Sequence, residues 1–325
     1  MGLDPIQAQL WDGHMKKFLL QEWRQYWGVL LALFIINILF SLLSPYYLTA
    51  YNFLNIFDNS AISLVMAVGM VFVLGTGGID LSIGSTLACS GIIAAQLFKV
   101  MPWPFALAVA IVFGITVGLL NGYIITRFHL QPFIVTLAML NIIRGLTLVI
   151  SGGHPVIGMP AGFLLLVTGK AVISNSIYSS LGIALICLLI LTKTKYSRSV
   201  RAVGGCEDAA YVCGIDVRKV KISVYAISSV TAVIASFIYM AKMDSAEPLA
   251  GLTTEWMEAI AAPIIGGNSM KGGKGFIFGT IIGVLIFSCI KSGLNMVGIN
   301  QHFQQIFIGS LTIAAVIVDS LRSNR

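Results

Sequence analysis

Few residues in this 325-residue chain could carry out covalent or metal chemistry, and their spacing argues against both. Four histidines (His14, His129, His154, His302) and five cysteines (Cys89, Cys187, Cys206, Cys213, Cys289) lie scattered, with no C-x-x-C or H-E-x-x-H pair among them. Neither a metal cluster nor a disulfide framework is expected. An acyl-transfer site would need a nucleophile elbow and a base, and no G-x-S-x-G occurs. The closest approach to the phosphate-binding G-x-x-x-x-G-K-[ST] ends in Gly273-Lys274, but Asn268 and Gly275 occupy positions that need Gly and Ser or Thr. The chain is not expected to bind ATP itself.

What remains is a small set of polar and glycine-rich islands in apolar surroundings. Thr76-Gly77-Gly78-Ile79-Asp80-Leu81-Ser82-Ile83-Gly84-Ser85 interrupts a hydrophobic tract running from 60 to 98. A carboxylate there is costly unless it is paired or reaches water, so Asp80, with Ser82, is a candidate for an element near a translocation path, and Asp80 equally suits the cap of the helix beginning near Ser82, a role that does not exclude the first. A second island, Gly266-Gly267-Asn268-Ser269-Met270-Lys271-Gly272-Gly273-Lys274-Gly275, occupies the other half of the chain. Paired glycine-interrupted apolar segments point to a central path in transporters, while a tight connection with two orienting lysines is the plainer alternative. Arg144 lies more than three turns into a run that Pro132 is suited to start, and it either faces a pore or forms a structural ion pair or snorkel. Asn121 beside these spans is a path candidate or an interhelical hydrogen-bond partner, as are Gln131, Asn141 and Gln305.

The elements that must position these residues follow from composition. Hydrophobic residues make up 57% of the chain and charged residues 10%, against about 25% charged in a soluble domain. No arrangement of this chain covers a water-facing surface with polar groups, which excludes soluble enzymes, disordered scaffolds and secreted disulfide domains. Apolar runs lie near 28–43, 60–76, 83–98, 105–125, 133–150, 177–192, 222–241, 259–267, 276–291 and 304–320. The expected fold is an all-α polytopic membrane protein of about ten transmembrane helices, some short or broken. The eighth run is too short to cross unaided and either borrows flanking residues or is re-entrant. The first run has no small-residue cleavage site after it and reads as a retained span.

With a cytoplasmic N-terminus, ten crossings put Lys16, Lys17, Arg24, Arg127, Lys271, Lys274, Arg322, Arg325 and the loop 193–221 on the cytoplasmic side. Lys99, Lys170, Lys242 and Lys291 fall outside, with Asp244, Glu247, Glu255 and Glu258 in an outer loop 243–258. This is a positive-inside bias, so the net charge of +7 is read as topology and not as a nucleic-acid surface. The organisation expected is a cytoplasmic segment 1–27, one transmembrane domain 28–320 and a cytoplasmic tail 321–325. No loop could house a soluble catalytic domain. The loop 193–221 is the largest hydrophilic segment, and its centre, Gly204 to Asp216, reads as a short helix. Glu207 and Asp208 suit its N-terminus, Ala209 and Ala210 its body and Gly214 its stop, which leaves Tyr211 and Val212 to dock in a partner's groove.

Four stretches in order carry a family resemblance: T-G-G-I-D-L-S-I-G-S at 76–85, Q-P-F-I-V-T-L at 131–137 with R-G-L at 144–146, A-V-G-G-C-E-D-A-A-Y-V-C-G-I-D at 202–216, and I-G-G-N-S-M-K-G-G-K-G at 265–275. They resemble the ribose-type sugar permeases of bacterial ABC importers. The resemblance implies a type II-like importer permease in the inner membrane, with two permease subunits, identical or homologous, around one path. It further implies a cytoplasmic ABC ATPase that binds ATP and Mg, an outer sugar-binding protein, and no cofactor on this chain. Gly205, Glu207, Asp208, Ala209, Ala210, Tyr211 and Gly214 match the family's ATPase-coupling segment, although Cys206 and Cys213 replace the usual Asn and Ser. The expected function is import of a ribose-like pentose or a hexose. A nucleoside or small signalling sugar is the alternative within the class. An ion-coupled secondary transporter is disfavoured, because few in-span carboxylates follow Asp80.

Overall fold

In a computed structural model that describes residues 27–169 and 173–323, the chain folds as a helical bundle. Residues 1–26 of the expected N-terminal segment, residues 170–172 and the last two residues of the tail lie outside the described residues. Helices α1 (Trp27–Leu43), α2 (Ala50–Gly75), α3 (Ile83–Leu97), α4 (Trp103–Phe128), α5 (Pro132–Ser151), α6 (Ala161–Thr168) and α7 (Asn175–Lys193) are followed by two short ones, α8 (Lys195–Gly205) and α9 (Glu207–Val212). Then come α10 (Val217–Met243), α11 (Glu255–Ile265), α12 (Ile277–Met296) and α13 (Gln301–Ser323). Strands β1 (Val156–Ile157) and β2 (Ser245–Ala246) pair antiparallel, with Val156 opposite Ala246.

All ten apolar runs are helical, and seven of the helices (α2, α4, α5, α7, α10, α12 and α13) are long and apolar enough to cross a membrane. The exposed faces of α4, α5 and α13 carry large apolar side chains such as Phe105, Val149 and Ile313. These faces suit a hydrocarbon solvent. At the centre stands α2, buried continuously from Ser60 to Gly75. It begins at Ala50, ten residues before its apolar run, because Thr49 caps it and accepts from Asn52 N at 3.2 Å. Its first turns hold Asn52, Asp58 and Asn59, polar residues that lowered the hydropathy without breaking the helix.

Close approach is achieved where side chains are missing. Gly114, Gly118 and Gly122 form a stripe on α4, and a Cβ at Gly118 would sit 2.5 Å from Tyr225 O of α10. Such small-x-x-x-small stripes let helix backbones touch where dispersion and packing drive association.

Two of the apolar runs form only short helices. Helix α3 has 15 residues and α11 has 11, about 22 and 16 Å at 1.5 Å per residue, short of a hydrocarbon core of about 30 Å. The remainder is irregular chain at 76–82, 247–254 and 266–276. These stretches pack closely: a Cβ at Gly84 of α3 would lie 2.5 Å from Gly251 O, and one at Gly272 would lie 2.8 Å from Gly77 N. The eighth run is thus an 11-residue helix flanked on both sides by irregular chain.

The cationic residues Arg127, Lys193, Lys195, Arg198, Arg201, Arg218, Lys219, Lys221, Lys271 and Lys274 gather at the end of the bundle that carries α8 and α9. At this basic end three glycine-containing segments join backbone to backbone. Gly273 N donates to Gly75 O at 3.0 Å. A Cβ at Gly204 would lie 2.0 Å from Gly75 O and 2.5 Å from Gly273 N, and one at Gly272 (φ +88°) would lie 2.7 Å from Gly204 O. The end of α2, the end of α8 and the 266–276 segment are thus locked at backbone distance. Gly205, the next residue, would meet nothing within 4 Å. The expected outcome is that Gly204→Ala destabilises the detergent-solubilised protein by about 1–3 kcal/mol through overpacking, while Gly205→Ala is neutral, as read from thermal unfolding midpoints.

Candidate functional site

The bundle presents three polar systems. The first is α9 at the basic end. Its N-cap, Cys206, has extended backbone and makes no side-chain cap bond, so the helix start rests on Glu207 and Asp208 in its first turn. The helix stops where Gly214 adopts φ +81°, with Gly214 N donating to Tyr211 O at 2.9 Å. Gly205 closes α8 and does not belong to α9. Of the expected coupling residues, Ala210 is buried, whereas Gly205, Glu207, Asp208, Ala209, Tyr211 and Gly214 are exposed. Tyr211 is 74% exposed and the neighbouring Val212 85%. Glu207 is paired with Lys221 of α10, which fixes α9 against the bundle. The Lys219 backbone N–H and ammonium hold the Asp216 carboxyl below its usual range and cap α10. Beside α9, a groove of about 1110 Å³ opens toward the α4–α5 turn at His129 and Pro132.

The second system is a closed knot around Asp80, which is fully buried. Its Oδ1 accepts from Ser82 N at 3.0 Å and Ser82 Oγ at 2.6 Å, and its Oδ2 accepts from Ser228 Oγ of α10 at 2.8 Å. Asn121 Nδ2 of α4 donates to Ser82 Oγ at 2.9 Å. Three sequence candidates, Asp80, Ser82 and Asn121, are therefore brought together, with Ser228 as a member that sequence alone did not reveal. The cap expected for Asp80 is displaced by one step. Asp80 bonds the N–H two residues ahead, in a turn that precedes α3, and the N-cap residue Ser82 makes no side-chain cap bond. Around the knot, Thr86 Oγ1, Asn121 Oδ1, Tyr225 OH and Ser229 Oγ are buried without a partner among the described residues.

The other two candidates stand apart. Asn268 clamps the 266–276 segment: its Nδ2 reaches Pro263 O, Phe276 O and Thr280 Oγ1 at 2.9–3.1 Å, and its Oδ1 accepts from Phe276 N at 2.7 Å. Arg144 is exposed on the outer face of α5.

The third system lies at the end opposite the basic one and was not anticipated. Glu258, expected in an outer loop, sits on α11 and is 1% exposed. A carboxylate tolerates this only when charge-paired and hydrogen-bonded. Lys291 of α12 lies 2.5 Å from Oε1, and Ser63 Oγ of α2 donates to Oε2 at 2.6 Å. Nearby, Lys242 of α10 pairs with Asp58 of α2 at 2.8 Å. Glu258, Lys291 and Lys242 line a cavity of about 640 Å³ bounded by α2, α10, α11, α12 and α13. The available signal was Glu255 and Glu258 directly before an apolar run, the placement of acidic residues in a first helical turn.

A family model described as branched-chain amino acid transport system / permease component matches residues 52–316. Over 316 residues the chain is 36% identical to the ribose import permease protein RbsC of Bacillus subtilis (strain 168), covering 96% of this chain and 95% of the relative. It is 38% identical over 305 residues to the D-allose transport system permease protein AlsC of Escherichia coli (strain K12), with 93% of each covered. To the galactose/methyl galactoside import permease protein MglC of Salmonella typhimurium it is 31% identical over 332 residues, covering 95% of this chain and 98% of the relative. No solved structure matches.

The knot generates a graded expectation. Asp80→Ala leaves Ser82 N, Ser82 Oγ and Ser228 Oγ buried without an acceptor, at about 1–3 kcal/mol for each unsatisfied group. Asp80→Asn keeps an acceptor for Ser82 and can donate to Ser228. In thermal unfolding, Asp80→Ala should fall well below Asp80→Asn, and equal midpoints would show that the knot contributes nothing.

Proposed function

The chain belongs to the branched-chain amino acid transport system / permease component family, and we propose that it is the membrane-spanning subunit of a binding-protein-dependent ABC importer for a monosaccharide, a ribose-like pentose or a hexose. The observation that carries this reading is likeness over nearly the whole chain to permeases named for ribose, allose and galactose. The polar lining of the cavity supports a hydroxylated solute over the apolar side chain of a branched-chain amino acid.

In this reading the basic end faces the cytoplasm, in keeping with the positive-inside rule. Helix α1 runs away from that end, since Val29 packs near Ile282 and Phe40 near Gly293 on α12. Helix α13 returns to it, where Asp319 accepts from Met270 N at 3.1 Å. Both termini are then cytoplasmic. Helix α9 is the coupling helix: Tyr211 and Val212 enter a groove on a partner ATPase, which holds ATP and Mg, and this chain binds no cofactor. Closure of the ATPases moves α9 and α8, and the backbone contact of Gly204 with Gly75 and Gly273 passes that movement to α2 and to the 266–276 segment. Alternate opening of the path follows. A separate sugar-binding protein delivers the solute at the opposite end.

Arg144 supports a second permease subunit, identical or homologous, against α5. A guanidinium in lipid is costly, whereas one facing a subunit boundary or a wet path is not. Asp80, Ser82 and Asn121 lie beside that path at the start of the broken helix α3, and Asn268 holds the facing break.

The docking test is the double variant Tyr211→Asp with Val212→Asp. It should insert normally yet retain about tenfold less ATPase on co-purification, as expected when apolar anchors are lost from an interface centre. ATP-driven D-ribose, D-allose or D-galactose uptake by reconstituted complexes should fall in parallel. Undiminished ATPase recovery would remove α9 from the interface.

A further inference from the structure

The cavity opposite the basic end has been given no binding role so far, and its chemistry is specific. Its volume of about 640 Å³ lies within the roughly 300–1,000 Å³ typical of small-molecule sites. The wall is built from five helices. The ion pair of Glu258 with Lys291 joins α11 to α12 in its wall, and Lys242 of α10 lines it while held from behind by Asp58 of α2. Between them stand Asn55 and Asn59 of α2 and Ser288 of α12. Glu255, at the start of α11, is already engaged by Thr253 Oγ1 at 2.7 Å and its neighbouring N–H at 3.1 Å.

This lining discriminates among ligand classes. The charges cancel in pairs, so a monovalent ion gains little there beyond what it loses in hydration. An apolar side chain would leave carboxylates, ammoniums and amides without their water and without replacement bonds, each at about 1–3 kcal/mol. A sugar hydroxyl both donates and accepts, so neighbouring hydroxyls can bridge a carboxylate and an ammonium without separating them. Amide side chains offer the same paired donor and acceptor. Three crossing elements meet at Glu258: α11 carries it, Ser63 ties it to α2, and Lys291 ties it to α12. Occupancy of the cavity therefore bears on the helix that also ends in the Gly75 junction.

We propose that this cavity is a solute-binding subsite within the permease itself, taking a neutral aldose whose adjacent hydroxyls bridge the Glu258–Lys291 pair and the amides of α2. The proposal rests on the sugar-permease reading and deepens it by placing a site on this chain, distinct from the site on a delivering protein.

The test is protection of an engineered thiol. In the full-length chain in native membranes, with exposed Cys206 and Cys213 replaced by serine, Asn55→Cys places a thiol on the cavity wall. Its reaction with a polar maleimide is followed with D-ribose, D-allose, D-galactose or L-leucine present. An aldose that occupies the site slows labelling about threefold at twice its dissociation constant, and L-leucine leaves the rate unchanged. Glu258→Gln should remove the protection. If Glu258→Gln fails to insert, Asn295→Leu at the cavity rim serves the same purpose. Labelling unaffected by every aldose, or protection that persists in these variants, overturns the proposal. ATP-driven uptake by the reconstituted complex separates the two levels. Aldose uptake without protection sinks the subsite alone, whereas leucine uptake without aldose uptake sinks the sugar reading as well.

Discussion

Backbone hydrogen bonding in a solvent that offers none is the constraint from which the rest of this structure follows. Lipid cannot satisfy an exposed N–H or C=O, so a membrane chain that breaks its helices must bury every break in protein. This chain breaks twice, around α3 and α11, and each break is paid for by enclosure. The first turn of α3 meets the irregular segment 247–254 at Gly84 and Gly251, 76–82 meets 266–276 at Gly77 and Gly272, and 266–276 meets both α2 and α8 at Gly75 and Gly204. Glycine is required at these contacts because the neighbouring atom is backbone, which cannot yield as a flexible side chain would. Asn268 performs the same service chemically, since one amide satisfies the carbonyls at 263 and 276 and the N–H at 276.

Enclosing the breaks also explains why the polar side chains are where they are. Asp80 is tolerable with no exposure because Ser82 and Ser228 supply donors from two elements. Glu258 is tolerable because α12 supplies a counter-charge and α2 a hydroxyl. Both carboxylates therefore act as cross-links between helices that lipid-phase packing alone would hold less specifically. They differ in access. The Asp80 knot is sealed, whereas the Glu258 pair forms the wall of a cavity that reaches the end of the bundle.

Much of the architecture was legible in the sequence, for identifiable reasons. Transmembrane runs are set by composition over about 20 residues, so all ten appeared as helices. The short helix α9 was readable because Glu207, Asp208, Ala209, Ala210 and Gly214 are local signals, and its stop falls at Gly214 as expected. Long-range pairing was not legible. Ser228 lies 148 positions from Asp80 and Ser63 lies 195 from Glu258, and no periodicity links such residues. Hydropathy also misplaced boundaries wherever a helix turns a polar face inward. The first turns of α2 fell outside its apolar run, and Glu258 read as an outer-loop charge, because hydropathy averages over faces that the bundle treats differently. The glycine junction was half visible: both glycine-rich tracts were evident, but their meeting with Gly204 depends on how α8 packs.

The two ends of the molecule are connected by one element. Helix α2 carries Asp58 and Ser63 to the charged residues of the cavity wall, Lys242 and Glu258, and ends at Gly75 in the basic-end junction. Ser63 and Gly75 are twelve positions apart, about 18 Å along a helix axis. Every residue between them is buried, so the segment is supported on all sides and has little freedom to bend independently at either end. Close-packed interiors transmit displacement and do not absorb it. A shift of α8 relative to Gly75 must then be taken up either by translation of α2, which displaces Ser63 against Glu258, or by rupture of the Gly273–Gly75 bond. The first keeps every backbone group paired, and the second leaves Gly75 O, which is buried, without its partner. The constraint that forces the breaks to be buried thus also favours rigid movement of α2, so that an event at the basic end is felt at the Glu258–Lys291 pair.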